Sequence, residues 1–244
     1  LWTLDGLGGV DIATVRAALK DRDARVRTAG LRLSEVMLAT HGETLAGAFR
    51  QLAEDSTVSL RRHLMLALGK TDAEWAEKLL FRLAGEPGDE WHSSIAAAAL
   101  RGRAEGFLQR TFTDRSWKEP QTSRKRLLEQ LGVSLIQSSD ATRVGRFLAM
   151  LAAEPRSDWR VRAVLSGAAS VKPAGPSVRL PEEPPLIGDL RKSTDEEERR
   201  WAEALSLYVR WGKAPPAAAP LVRLTPDEQK LHELGRTHYG LICA

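Results

Sequence analysis

A single cysteine, five histidines and one basic run are the residues of this 244-residue chain whose types could do chemistry. Cys243 stands alone, which excludes an internal disulfide framework and any Cys-rich zinc site. His41, His63, His92, His232 and His238 lie apart, and no two of them stand four residues apart beside a carboxylate, as a helical zinc motif requires. His63 and His92 read as opening helices, where a capping or surface role is the ordinary one, and His238 reads as solvent-exposed. Gly6-Leu7-Gly8-Gly9 lacks the preceding strand that a phosphate loop needs, so it reads as a turn. Arg124-Lys125-Arg126, with Arg110, Arg115 and Lys118, is the densest basic region and surrounds Trp117, which is free to cover a surface patch or mark a partner site. A net charge of +4, from 36 Lys+Arg against 32 Asp+Glu, favours a solvated helix face there and argues against nucleic acid as a partner. No residue set forms a catalytic centre, and no metal ligand is assigned within the chain.

The elements that would carry these residues follow from composition and period. Hydrophobic residues are 43% and charged residues 28%, the balance of a folded protein. No run approaches the roughly 18 apolar residues of a membrane span; the longest weakly polar stretch is Ile95 to Leu100. The chain opens on Leu1 with neither an initiator Met nor a signal peptide and ends at Ile242-Cys243-Ala244, so it reads as cut from something longer.

An internal repeat runs through the first two thirds. Asp23-Ala24-Arg25-Val26-Arg27 recurs around Asp55 and Val58, around Asp89 and Trp91, and as Asp158-Trp159-Arg160-Val161-Arg162. The anchors Val26, Val58, Trp91 and Trp159 are separated by 32, 33 and 68 residues, which places a degraded copy near Lys125, beginning at Pro120. Such a period holds two helices, and one pair cannot bury its own apolar face. In the first unit Ile12, Val15, Ala18 and Leu19 make one helical face. Asp21 and Asp23 cap the second helix, whose buried side is read as Val26, Ala29, Leu33, Val36 and Met37. Further pairs are read at 45–52 with 58–68, 75–83 with 91–100, and 144–151 with 161–165. Gly69, Gly102, Gly132 and Gly167 are read as closing second helices, and Trp2, Trp75, Trp91 and Trp159 as filling gaps between repeats. In each motif Asp accepts from free amides at the helix start, Val buries, and Arg reaches toward the Asp of the adjacent repeat. The pattern resembles the HEAT-like repeats of phycobilisome-lyase-type proteins. That resemblance implies an all-α, right-handed α-solenoid of about five helix pairs over residues 1–170, and implies little about function.

From Val171 the period stops. Pro173, Pro176, Pro181, Pro184 and Pro185 read as a strap over 171–224, with one helix that starts at Ser193-Thr194-Asp195, carries Trp201, Ala204, Leu205, Tyr208 and Val209, and ends near Gly212. A Pro/Ala linker follows, and Thr225-Pro226-Asp227-Glu228 then starts a new helix. That helix carries Leu231, Leu234, Gly235 and Tyr239 and leads into Cys243. Residues 225–244 resemble the entry to a c-type cytochrome, cut just inside Cys-x-x-Cys-His. The resemblance implies that Cys243 is the first thioether cysteine of a covalent haem c held mostly outside this segment, with Gly235 and Tyr239 as packing positions, and that the solenoid itself binds no cofactor.

The order of parts is similar to large exported bacterial proteins in which a propeller resembling sugar dehydrogenases precedes HEAT-like repeats and a C-terminal cytochrome c. It implies a spacer without chemistry of its own in an exported, periplasmic or cell-envelope electron-transfer protein. Its partners would be the flanking domains and another redox protein, and any oxidoreductase activity would belong to the whole protein. Two other readings stand beside this one: a haem-free HEAT-repeat scaffold for protein–protein interaction, and a nucleic-acid-binding HEAT-like module.

Overall fold

The computed structural model describes residues 6, 8–55, 57–171, 178–213 and 225–242, with side chains as far as residue 235. It is mostly helical. Helix α1 spans Ile12–Leu19 and starts where the Asp11 carboxylate accepts from the Thr14 amide at 2.8 Å. Val15, Ala18 and Leu19 are buried along the face that the spacing predicts. Helix α2, Ala24–Ser34, is capped by Asp23, with Asp21 accepting from the Asp23 amide at 2.8 Å. Its buried residues are Gly30, Leu31, Leu33 and Ser34. The helix gives way to a 3-10 turn at Glu35–Met37, which turns the face and leaves Val36 82% exposed, so Val36 is not part of the buried side.

The next helices are α3 (Leu38–Leu52, bent at His41), α4 (Val58–Leu68), α5 (Glu74–Ala84) and α6 (His92–Ala99). Then come α7 (Ala104–Thr113), a 3-10 turn at Arg115–Trp117, and α8 (Thr122–Ile136), which occupies the degraded copy. Helices α9 (Ala141–Ala152) and α10 (Trp159–Ser170) follow, capped by Asp140 and Asp158. The second helix of each pair packs on the next: α2 on α4, α4 on α6, α6 on α8, α8 on α10. The first helices α1, α3 and α5 pack in the same order.

The closest approach is between α8 and α10, and it corrects two glycine assignments. Gly132 and Gly167 lie inside these helices and do not close them. A Cβ on Gly167 would stand 2.6 Å from the Glu129 Cα, and one on Gly132 would run into the Val164 carbonyl. Glycine is required there for two backbones to touch. Gly102, at φ 85°, takes the left-handed conformation in the turn that follows α6.

The proline-rich segment holds two helices where one was expected. Pro184 and Pro185 start α11, Pro185–Arg191, because proline fits the first turn of a helix. Helix α12, Glu196–Tyr208, is capped by Asp195. It stops at Tyr208 because Val209–Trp211 forms β2, which pairs in parallel with β1, Val178–Leu180, in the register Val178 to Val209. Helix α11 packs on α9 and α12 on α10, so the pattern of contacts continues past residue 170. One hydrophobic core runs from Val15 to Val209 and takes in Leu186, Ile187, Leu190, Trp201 and Leu205. Helix α13, Pro226–Ile242, begins in a capping box in which the Thr225 amide donates to Glu228 at 2.8 Å. No helix among the described residues is long and apolar enough to cross a membrane.

Candidate functional site

The repeat motif builds a line of charged links between successive second helices. Asp23 caps α2 and is held by Arg25, whose hydrogen bonds lower its carboxyl to about 2. Arg27 turns the other way. Its Nη1 donates to the carbonyls of Asp21 and Arg22 at 2.8 and 2.9 Å, and its Nη2 to Asp55 Oδ2 at 2.5 Å. Asp55 in turn accepts from the Thr57 amide in front of α4. One step on, Arg62 pairs with Asp89, which accepts from the Trp91 amide at the start of α6. At the far end Arg162 reaches Asp195 at 3.3 Å and Glu197 at 2.5 Å, on the cap and first turn of α12. In the first and last copies the motif's Arg, Arg27 and Arg162, meets the Asp in front of the next second helix, as the spacing predicts; in the second copy Arg61 pairs with Glu86 and the adjacent Arg62 makes the link. Where the motif is lost, Ser93 Oγ joins α6 to α8 by donating to the Ser123 carbonyl at 2.8 Å, while Arg124 Nε donates to the Gly85 carbonyl at the end of α5, at 2.7 Å.

Burial rearranges several residues singled out by type. Val58 and Trp91, read as buried anchors, are 51% and 56% exposed; each stands at the very start of its helix. Trp117 is buried at the 3-10 turn, its ring centroid 5.4 Å from Phe107 and 5.7 Å from Phe81, so it neither covers a surface patch nor marks a partner site. Trp75 is buried against Phe49, as a gap filler should be, and Trp2 lies outside the described residues. His63 lies within α4, next to Arg32 at 3.1 Å. His92 does open α6, but it is buried, and burial pushes its imidazole below the ordinary value. Gly8, at φ 68°, makes the expected turn. In the basic region Arg124 lies over the Trp117 ring and Arg110 over the Phe81 ring, so each of these two guanidiniums has one face against the protein. His238 and Tyr239 carry no described side chain, and Cys243 lies outside the described residues.

One feature escaped the sequence reading altogether. Residues 104–113, which fall outside the helix pairs read from the repeat, form α7, and between α5 and α7 lies a cleft of about 310 Å³. Its floor is Leu80, Phe81, Leu100 and Phe107, and Glu77, Arg103 and Arg110 stand around it. The signal for the helix was present: Ala104, Phe107, Leu108 and Thr111 follow a helical period, and all four are buried. The cleft has no local signature, because its walls come from two helices more than twenty residues apart.

No family model, curated protein or solved structure matches this chain. Its functional reading rests on its own residues.

Proposed function

We propose that the chain is a right-handed α-solenoid of HEAT-like helix pairs that acts as a spacer between domains of an exported electron-transfer protein, with Cys243 as the first thioether cysteine of an attached cytochrome c. The observation that carries the spacer reading is the repeated link from one second helix to the cap of the next: Arg27 to Asp55, Arg62 to Asp89, Arg162 to Asp195. Links of this kind hold each unit to its neighbours in a fixed step, which is what a spacer of set length requires.

The C-terminal part of the proposal is supported by α13. It starts in its own capping box, and its described side chains are exposed, with Leu231 and Leu234 at 69% and 61%. An uncovered apolar pair suits a helix that packs against a further domain. The described residues contain no set that fits a haem, and the chain has one thiol where a haem c needs two thiols and an axial histidine.

The test uses the intact gene product, expressed where cytochrome c maturation operates. Haem that stays bound after denaturation, and is lost in Cys243→Ala, supports the proposal. Absence of covalent haem overturns the electron-transfer part and favours the haem-free interaction scaffold.

A further inference from the structure

We propose that the cleft between α5 and α7 binds a small aryl carboxylate, with Arg110 holding the carboxylate. This inference is independent of the spacer reading. The two guanidiniums at the cleft differ in what they already do. Arg103, with a side chain only 19% exposed, donates to the Thr71 and Ala99 carbonyls at 2.9 and 3.1 Å and has the carboxylates of Asp72 and Glu77 within 3.8 Å. Its charge is compensated, and its role is to tie the end of α6 to the loop before α5.

Arg110 is placed otherwise. Its guanidinium lies 4.0 Å above the Phe81 ring, and no acceptor among the described residues takes a hydrogen bond from it. The nearest carboxylate is that of Asp114, whose Oδ2 stays 3.9 Å from Nε while its Oδ1 accepts from the amide and hydroxyl of Ser116, at 2.9 and 2.7 Å. Stacking on a ring fixes the guanidinium plane and removes water from one face, while the N–H edge remains open. That edge is the geometry that receives a carboxylate with two parallel hydrogen bonds. Asp72 and Glu77 lie beside Arg103, so the guanidinium left to receive an anion is that of Arg110. The floor selects the rest of the ligand. Phe81 and Phe107, with centroids 5.1 Å apart, already pack on Trp117, and with Leu80 and Leu100 they give the cleft an apolar wall that suits the hydrocarbon part of a ligand. A volume of about 310 Å³ lies at the small end of ligand sites and suits a single ring with a short acidic arm.

The experiment titrates the full chain with 3-phenylpropionate and, separately, with 3-phenylpropanamide, following both by calorimetry and by ligand-observed NMR. We expect saturable 1:1 binding of the acid and at least tenfold weaker binding of the amide. Arg110→Gln should reduce affinity for the acid at least tenfold and leave the amide unchanged. A Cβ on Gly106 would meet nothing within 4 Å, so Gly106→Phe can fold with its ring in the cleft and should abolish binding of both compounds while circular dichroism stays unchanged. No saturable binding of the acid at millimolar concentration, equal affinity for acid and amide, or full affinity in Arg110→Gln would each overturn the proposal.

Discussion

At the scale of single residues, the same motif position has different consequences along the chain. Val26 and Val161 both stand between two arginines, yet Val161 is fully buried and Val26 only half so. The difference comes from their neighbours. Helix α10 is covered by α8 on one side and α12 on the other, whereas α2 has α4 as its one neighbour among the second helices described. A carboxylate at 161 would be buried without a partner. Val161→Asp should therefore cost about 3–5 kcal/mol and Val26→Asp about 1 kcal/mol, measured by urea denaturation of each variant. Equal losses would show that the two positions are equally covered. Arginine suits the other motif positions because one guanidinium can serve a carbonyl and a carboxylate at once, as Arg27 does with Asp21, Arg22 and Asp55.

At the scale of elements, glycine separates close packing from simple helix content. Glycine inside a helix costs about 1 kcal/mol against alanine, so a helix keeps it without penalty only where something else needs the space. At Gly167 the Glu129 backbone fills that space, and α8 and α10 share their closest contact there. At Gly47, inside α3, a Cβ would meet nothing within 4 Å. Gly167→Ala should thus destabilise by about 3 kcal/mol, since backbone cannot move aside as a side chain can. Gly47→Ala should stabilise by up to about 1 kcal/mol. Thermal denaturation of the pair checks both signs in one experiment, and a loss at Gly47 would mean that α3 is more crowded than its geometry shows.

At the scale of the whole molecule, the question is whether the helix pairs act as neighbours or as one body. The last pair, α11 and α12, joins the rest through α9, α10 and the cluster in which Arg162 meets Asp195, Glu197 and Glu198. Glu198 also holds Arg156 at 3.0 Å and is nearly buried, so it keeps one partner if Arg162 is removed. In a stack held by nearest-neighbour contacts, Arg162→Met should weaken hydrogen-exchange protection across 185–211 and leave 24–68 close to its original protection. Uniform loss along the chain would show one cooperative body and would count against the solenoid.

How much was legible in the sequence follows from the range of each signal. Helix starts at Asp23, Asp158, Asp195 and Thr225 were readable because a cap and the amides it serves lie within three residues of each other. The buried faces of α1 and α9 were readable from period alone, and the reach of Arg27 and Arg162 toward the next cap followed from the repeat length. Helix α11 was hidden because prolines that argue against a helix interior also open helices. Other features needed the assembled chain. Trp117 is interior and Trp91 is not, although both are tryptophans near helix starts, because only Trp117 has Phe81, Phe107 and Arg124 brought around it. The β1–β2 pair joins residues 31 apart, and the α5–α7 cleft joins walls with no shared motif. Capped helix starts and the apolar stripes of α1 and α9 could be read from the chain before folding, since those depend on hydrogen bonds and side-chain spacing within a turn or two. Which stripes are covered, which glycines let backbones touch and where a cavity remains emerge only on folding, since those depend on how distant segments pack against each other.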